Sequence, residues 1–174
     1  MILVSLAMIS CKGGGDRSFL EVRGRVQAIS WAGGTGLTSG QWNLSRRGKI
    51  SQGPWDGMKR GGKGHIRKGR VRFFDHESGD ECITETEFRT SRRGRIVKAL
   101  RRCGDTKETY LLERTRKGEL VSAQLKSGTA TYVYSYGSYV YDEKGNWTER
   151  HFTVSCGDKV TNSGVERRDI VYYE

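Results

Sequence analysis

Along most of this chain apolar and polar residues alternate at the two-residue period of a half-buried β-strand, and no stretch carries a convincing helical period. The clearest run is Tyr132-Val-Tyr134-Ser-Tyr136, with a tyrosine at every second position. Gly137-Ser138 then shifts the phase before Tyr139 and Tyr141, as a β-bulge or tight bend does. The runs are broken at a regular beat. Read in register, the chain gives Arg46-Arg47-Gly48-Lys49-Ile50, Arg67-Lys68-Gly69-Arg70-Val71, Arg92-Arg93-Gly94-Arg95-Ile96, Arg116-Lys117-Gly118-Glu119-Leu120 and Glu143-Lys144-Gly145-Asn146-Trp147. These glycines lie 21, 25, 24 and 27 residues apart, and a partial copy, Val22-Arg23-Gly24-Arg25-Val26, precedes Gly48 by 24. Self-similarity at such a period marks a repeated supersecondary unit.

Turn chemistry identifies the unit as a β-hairpin. A type I turn favours Asp, Asn or Ser at its first position, and a glycine at its fourth adopts φ > 0 to form the bulge of a three-residue loop. Asp142 with Gly145, Ser45 with Gly48 and Ser91 with Gly94 occupy those places. This register sets Tyr141 opposite Trp147, Leu44 opposite Ile50 and Thr90 opposite Ile96, cross-strand pairs of roughly 0.2 to 1 kcal/mol each. Further turn signals, His76-Glu-Ser-Gly79, Cys103-Gly104-Asp105, Lys126-Ser127-Gly128 and Cys156-Gly157-Asp158, fall between the glycine turns. Each unit is then two strands of about eight residues.

The expected fold is all-β: consecutive antiparallel β-hairpins in a meander, forming a curved repeat sheet. About a dozen strands in one meander must curl, split into two layers or be covered by a partner. The 24 glycines with a single proline, Pro54, suit tight turns, and the 8 tyrosines and 4 tryptophans argue against disorder. A chain of 174 residues supports one ordinary domain, expected over residues 20–174.

The N-terminus carries an address. Met1-Ile-Leu-Val-Ser-Leu-Ala-Met-Ile-Ser10 is almost wholly apolar, too short to span a bilayer and suited to a truncated signal-peptide core over residues 1–10. No basic residue precedes it, so the true start is expected upstream of Met1. Met8-Ile9-Ser10-Cys11 resembles a bacterial lipobox, which implies a lipid-bearing Cys11, with Gly13 to Gly15 in a flexible tether over residues 11–19. The expected location is the cell envelope, lipid-anchored, at the outer membrane or periplasmic face. Cys82, Cys103 and Cys156 match no zinc spacing and His65, His76 and His151 are scattered, so neither metal nor cofactor is expected. The hairpin register puts Cys82 and Cys103 on opposite faces unless a further bulge intervenes, and reduced cysteines are expected.

Tyr139-Val-Tyr-Asp-Glu-Lys-Gly-Asn-Trp-Thr-Glu-Arg150 and the ending Glu166-Arg-Arg-Asp-Ile-Val-Tyr-Tyr-Glu174 resemble the YD or RHS-like β-hairpin repeat of lipoproteins of Bacteroidetes-type bacteria; Leu20-Glu-Val-Arg-Gly-Arg-Val26 resembles their first strand. The resemblance spans roughly residues 20 to 174 and is specific in the last third. Upstream, Leu44/Ser45, Thr90/Ser91 and Arg114/Thr115 replace the tyrosine and aspartate of the signature. It implies a curved antiparallel sheet, envelope placement and a binding or shell-forming role, and it supplies no catalytic residues.

The formal charge of +11 concerns partners rather than fold. Arg46, Arg47, Lys49, Arg67, Lys68, Arg70, Arg92, Arg93, Arg95, Arg116, Lys117 and Lys144 surround the glycine turns. Stacked hairpins would align them in a basic rim able to hold a polyanion, an anionic glycan or lipid head group. Solvated turns that prevent sheet aggregation explain charge equally well, though not its single sign. Tyr132, Tyr134, Tyr136, Tyr139, Tyr141, Trp147, Tyr172 and Tyr173 are read first as the core of a thin sheet and second as a ridge on which sugars stack. Neither Trp31-Ala-Gly-Gly-Thr-Gly36 nor Gly57-Met-Lys-Arg-Gly-Gly-Lys-Gly64 has phosphate-loop order, and no local nucleophile motif appears. A non-enzymatic envelope lipoprotein with a scaffold or binding role is therefore expected. The alternative is a structural or interaction module that docks an envelope protein on a sheet edge or aromatic face. Cytoplasmic nucleic-acid binding fits the charge and conflicts with the lipobox.

Overall fold

The computed structural model describes residues 16–32, 37–38, 40–61, 64–74 and 81–174. The described residues form one short helix, α1 (Asp16–Phe19), and twelve strands: β1 (Val26–Ala32), β2 (Gly40–Leu44), β3 (Ile50–Gln52), β4 (Asp56–Arg60), β5 (Ile66–Phe74), β6 (Glu81–Thr90), β7 (Ile96–Cys103), β8 (Thr106–Arg114), β9 (Leu120–Ser127), β10 (Ala130–Tyr141), β11 (Trp147–Cys156) and β12 (Lys159–Tyr172). All belong to one open, curved antiparallel sheet in the order β3-β2-β1-β12-β11-β10-β9-β8-β7-β6-β5-β4. The expected meander of hairpins is present. Its first three strands add to the far side of β12 rather than to β4.

This order forces the sheet to curl. Laid flat, strands β3 and β4 would be separated by eleven inter-strand spacings, about 53 Å. Yet only Gly53, Pro54 and Trp55 join them, and that connection reaches at most about 14 Å. The sheet therefore wraps until its edge strands meet across a seam that no ladder bonds close among the described residues. Trp55 sits inside this seam, with Trp42 of β2 at 4.8 Å on one side and Phe88 of β6 stacked at 4.9 Å on the other.

The turns follow the expected chemistry. Gly48, Gly94, Gly118 and Gly145 all have positive φ, and each donates its N–H to the carbonyl three residues earlier, at Ser45, Ser91, Thr115 and Asp142. Tyr141 pairs with Trp147, Leu44 with Ile50 and Thr90 with Ile96. The predicted irregularity at Gly137-Ser138 is a register shift with Ser138 at φ 49. One turn is corrected. Arg67-Lys68-Gly69-Arg70 lies within β5, and the turn is made upstream, where Gly64 donates to the carbonyl of Gly61. Gly69 is there for packing: a Cβ would lie 2.6 Å from the Trp55 ring. The His76 turn signal lies outside the described residues.

The expectation of reduced cysteines is corrected at Cys103, which is disulfide-bonded; Cys156 is a free thiol. A further bulge does intervene: between Arg89 and Thr90 the β6–β7 pairing advances by one residue, to Glu85↔Arg102. A single-residue slip exchanges the faces of every side chain beyond it.

The curled sheet is filled by its own N-terminal segment. Residues 16–19, assigned to a tether from sequence, form α1, with Phe19 packed edge-on to Trp55 at 5.5 Å and to Phe88 at 5.1 Å. The helix ends in a Schellman motif: Val22 N–H donates to the Arg17 carbonyl and Glu21 N–H to that of Ser18. Its left-handed residue is Glu21, at φ 58, where glycine is usual. The turn directs Leu20 and Val22 into the interior, at 0% and 6% exposure, beside Trp42, Leu44, Ile66 and Trp147. Asp16 pins the plug to the seam. Its Oδ2 accepts from the Ile50 amide of β3 at 2.6 Å and from Arg60 Nη2 of β4 at 2.7 Å, so one carboxylate bridges both edge strands.

Candidate functional site

Successive turns of an antiparallel meander alternate between its two ends. The turns at 45–48, 61–64, 91–94, 115–118 and 142–145 therefore share one end, together with the start of β1 and the close of β12. The described hairpins at 103–106, 127–130 and 156–159 share the other.

At the first end, eight of the twelve rim candidates, Arg46, Arg47, Lys49, Arg92, Arg93, Arg116, Lys117 and Lys144, are exposed on or beside the turns. Arg23 and Arg25, exposed on the segment leading into β1, extend the rim; sequence reasoning saw their motif without assigning it to the site. The balance of sign is one-sided: Glu143 and Glu174 are the exposed acids on or beside these turns and the close of β12, while Glu119 is half-buried and accepts from the Tyr141 hydroxyl. The cations crowd one another. Arg95 is lowered below the ordinary arginine pKa, first by burial and then by Arg114, Arg93 and Arg23, with Glu21 opposing the shift.

The other four candidates behave differently. Arg67, Lys68 and Arg70 lie on the flank in β5, where Lys68 and Arg70 pair with Glu85 at 2.5 and 2.6 Å. Arg95 is a packing residue: Nη2 donates to the Lys117 carbonyl at 3.2 Å and its guanidinium covers Gly118. Arg17 does the same at the 45–48 turn, donating to the Arg46 carbonyl at 3.1 Å and covering Gly48. A turn glycine thus serves twice, through its φ and through the bare face that a neighbouring arginine occupies. Cys11 lies outside the described residues.

Beneath the rim the plug meets a buried ionic cluster that the sequence did not disclose. Glu21 accepts from Arg114 at 2.6 Å, from Trp147 Nε1 at 3.1 Å and from Arg150 at 3.4 Å. Arg150 also pairs with Glu166, and both side chains are at most 2% exposed. Arg168 donates to the carbonyls of Trp147, Leu20 and Glu21, and its guanidinium lies 3.8 Å over the Trp147 ring. Burial presses the Glu21 carboxyl upward, but Arg114, Arg150 and Arg168 outweigh it and hold the pKa at about 2. Burial lowers Arg168 to about 10 against the pull of Glu21, and raises Glu166 despite Arg150. Every charge here has an opposite partner or a carbonyl, the condition under which buried charge is tolerated. The cluster locks the plug and, being closed to solvent, is not a site for a ligand.

Asn146, fully buried in the last glycine turn, ties the plug to the rim. It accepts from the Arg23 amide at 2.6 Å and donates to the Arg23 carbonyl at 3.2 Å and to the Tyr172 hydroxyl at 2.6 Å. Asp142 accepts from the amides of Lys144 and Asn146 and from Tyr172, which holds its pKa below the ordinary aspartate value although burial opposes this. Asp142 and Asn146 of the last glycine turn therefore anchor the plug as well as shape that turn.

The opposite end is nearly neutral, its described hairpins carrying Asp105 and Lys107, Lys126, and Asp158 and Lys159. A cavity of about 300 Å³ opens there, lined by Thr84, Arg101, Cys103, Thr106 and Glu108. Its polar groups satisfy one another: Arg101 Nε donates to Glu108 at 2.6 Å, and Tyr110 donates to Glu108 at 2.9 Å. Tyr132, Tyr134 and Tyr136 pair in register with Leu125, Ala123 and the β11 residues Cys156, Val154 and Phe152 on the interior face. The reading of this tyrosine series as core is met by Tyr132, Tyr134, Tyr136, Tyr139, Trp147 and Tyr172; Tyr141 is exposed. Among the described residues, no group of His, Cys, Asp and Glu is arranged to hold a metal ion.

No protein-family model matches this chain, and no curated protein matches it.

Proposed function

We propose that this chain is a non-enzymatic binding module of the cell envelope, lipid-anchored through Cys11, which engages an anionic glycan or lipid head group through its basic rim. One observation carries the reading. Exposed arginines and lysines occupy the turns at one end of the sheet with almost no acid among them, whereas the described turns at the other end mix both signs. Solvation of turns accounts for charge at both ends but not for this asymmetry. The alternative of docking a protein on an aromatic face is less favoured, because most of the aromatic rings, Tyr141 excepted, are packed inside and edge strand β3 is only three residues long.

Binding carried by exposed cations weakens as the screening length falls from about 10 Å at 0.1 M salt to about 3 Å at 1 M. The full chain is expected to bind an anionic polysaccharide or anionic lipid at low salt and to release it as salt rises. Binding that is absent, or indifferent to salt, overturns the rim. Metabolic labelling with a palmitate analogue, lost on Cys11→Ser, tests the anchor separately.

A further inference from the structure

Resting on the rim reading, the geometry points to an anionic phospholipid bilayer as the rim's partner, with the curled sheet standing on its plugged end and its open mouth facing away from the membrane. The first support is shape. The rim cations sit on turns distributed around the circumference of a curled sheet, enclosing a centre already filled by Phe19, Leu20 and Val22. A linear polyanion is matched by a groove or a straight edge, and a ring of charge around a filled centre is matched by a plane.

The second support is where the described chain begins. Asp16 lies at the seam on this same end, held between the first residue of β3 and the last of β4. The fifteen residues that precede it in sequence join the described chain at this end, and they include Ile2, Leu3, Val4, Leu6, Met8 and Ile9. Ile9 precedes Asp16 by seven residues, a reach of at most about 25 Å. An apolar or acylated leader and a polybasic surface thus act on the same plane. A single hydrophobic anchor binds membranes only marginally, and a basic patch supplies the second signal that makes anchoring stable.

The third support is the apolar collar. Among the described residues, seven large apolar side chains are strongly exposed, and five of them, Leu111, Val121, Val140, Tyr141 and Val171, lie on the strand halves nearest the basic turns. Beside them Lys144 stands 3.8 Å over the Tyr172 ring and Arg46 lies 5.6 Å from the Tyr173 ring centre. Tyrosine mixed with lysine and arginine is the composition of the membrane–water interface.

The test uses the full chain carrying Cys11→Ser, so that acylation cannot supply the binding, and vesicles of phosphatidylglycerol mixed into phosphatidylcholine against phosphatidylcholine alone. Co-sedimentation is expected only with the anionic vesicles. Each rim cation that reaches the surface contributes about fivefold in partitioning, so R92E/R93E should reduce binding by more than about tenfold, with unchanged circular dichroism and thermal midpoint. Hydrogen exchange on the vesicles should slow at turns 45–48, 91–94, 115–118 and 142–145 and stay unchanged at 103–106, 127–130 and 156–159. Slowing at the second set instead overturns the orientation. Salt-sensitive binding to dextran sulfate without binding to anionic vesicles overturns the bilayer inference and leaves the rim reading standing. Failure to bind either removes both.

Discussion

The two ends of the curled sheet are made by the same strands and have opposite characters. The glycine-turn end is filled: plug, tryptophans and a paired ionic cluster leave no entry, and its outer turns carry cations of one sign. The other end is hollow and, among the described residues, nearly neutral, with Arg101 and Glu108 bonded to each other beside a cavity of about 300 Å³ lined also by Thr84, Cys103 and Thr106. The difference comes from one event in the chain's course. Residues 16–22 turn into the interior at one end and fill only that end. The comparison shows that curling a sheet does not make a core; something must be inserted, and where it is inserted decides which end is rigid.

The sharpest way to break this comparison is Glu21→Ala. It leaves Arg114, Arg150 and Arg168 without the carboxylate they surround, and loss of one partner from a buried cluster costs about 3–5 kcal/mol. Urea denaturation should show that loss. Glu21→Gln sharpens the point through pH. Glu21 titrates at about 2 in the fold against an ordinary 4.5, so its stabilisation is complete above pH 4.5 and is lost as pH falls toward 2. Glu166, raised by burial, acts in the opposite sense, since its folded form accepts a proton more readily. The wild-type urea midpoint should therefore drop below pH 4.5, and E21Q should lack the part of that drop due to Glu21.

Reduction, or Cys103→Ser, tests the hollow end. With no plug there, a covalent link takes its place, and removing it should cost about 2–4 kcal/mol, read as a fall in thermal midpoint. Hydrogen exchange should then rise first around 103–106 and leave the plug protected.

Asn146→Ala is next. It removes three hydrogen bonds between the last turn, the Arg23 backbone and Tyr172, and leaving the Arg23 amide unpaired should cost about 1–3 kcal/mol. The smallest effect on stability is expected of R92E/R93E, two exposed turn residues whose replacement should stay within about 0.5 kcal/mol. A larger loss would mean that the rim serves folding rather than binding.

How far each feature was legible follows from its range in the chain. The hairpins, the positive-φ glycines, the pairs Tyr141–Trp147 and Leu44–Ile50, and the irregularity at Gly137-Ser138 all rest on residues within one turn of each other, so local pattern suffices. Gly69 misled because a packing glycine and a turn glycine look alike in a basic context; only the position of Trp55 tells them apart. Cys103 misled because its face depends on a bulge at Arg89/Thr90 that leaves no mark in composition. The ionic cluster was hidden for the same reason. Arg150, Glu166 and Arg168 read as surface charges until the register turns them inward.

By itself, the sequence determined an antiparallel meander of hairpins, its beat near two dozen residues, and a surplus of positive charge at one class of turn, because turn stereochemistry and strand alternation are short-range. Tertiary structure alone decided that β1 to β3 add beyond β12, that the sheet curls until Trp55 joins its edges, and that Asp16 to Val22 become its core at one end. Those outcomes depend on contacts between residues more than a hundred positions apart, such as Glu21 with Arg150 and Arg23 with Asn146. No local preference encodes them, since they are set by what remaining apolar surface and unpaired charge must meet once the sheet has formed.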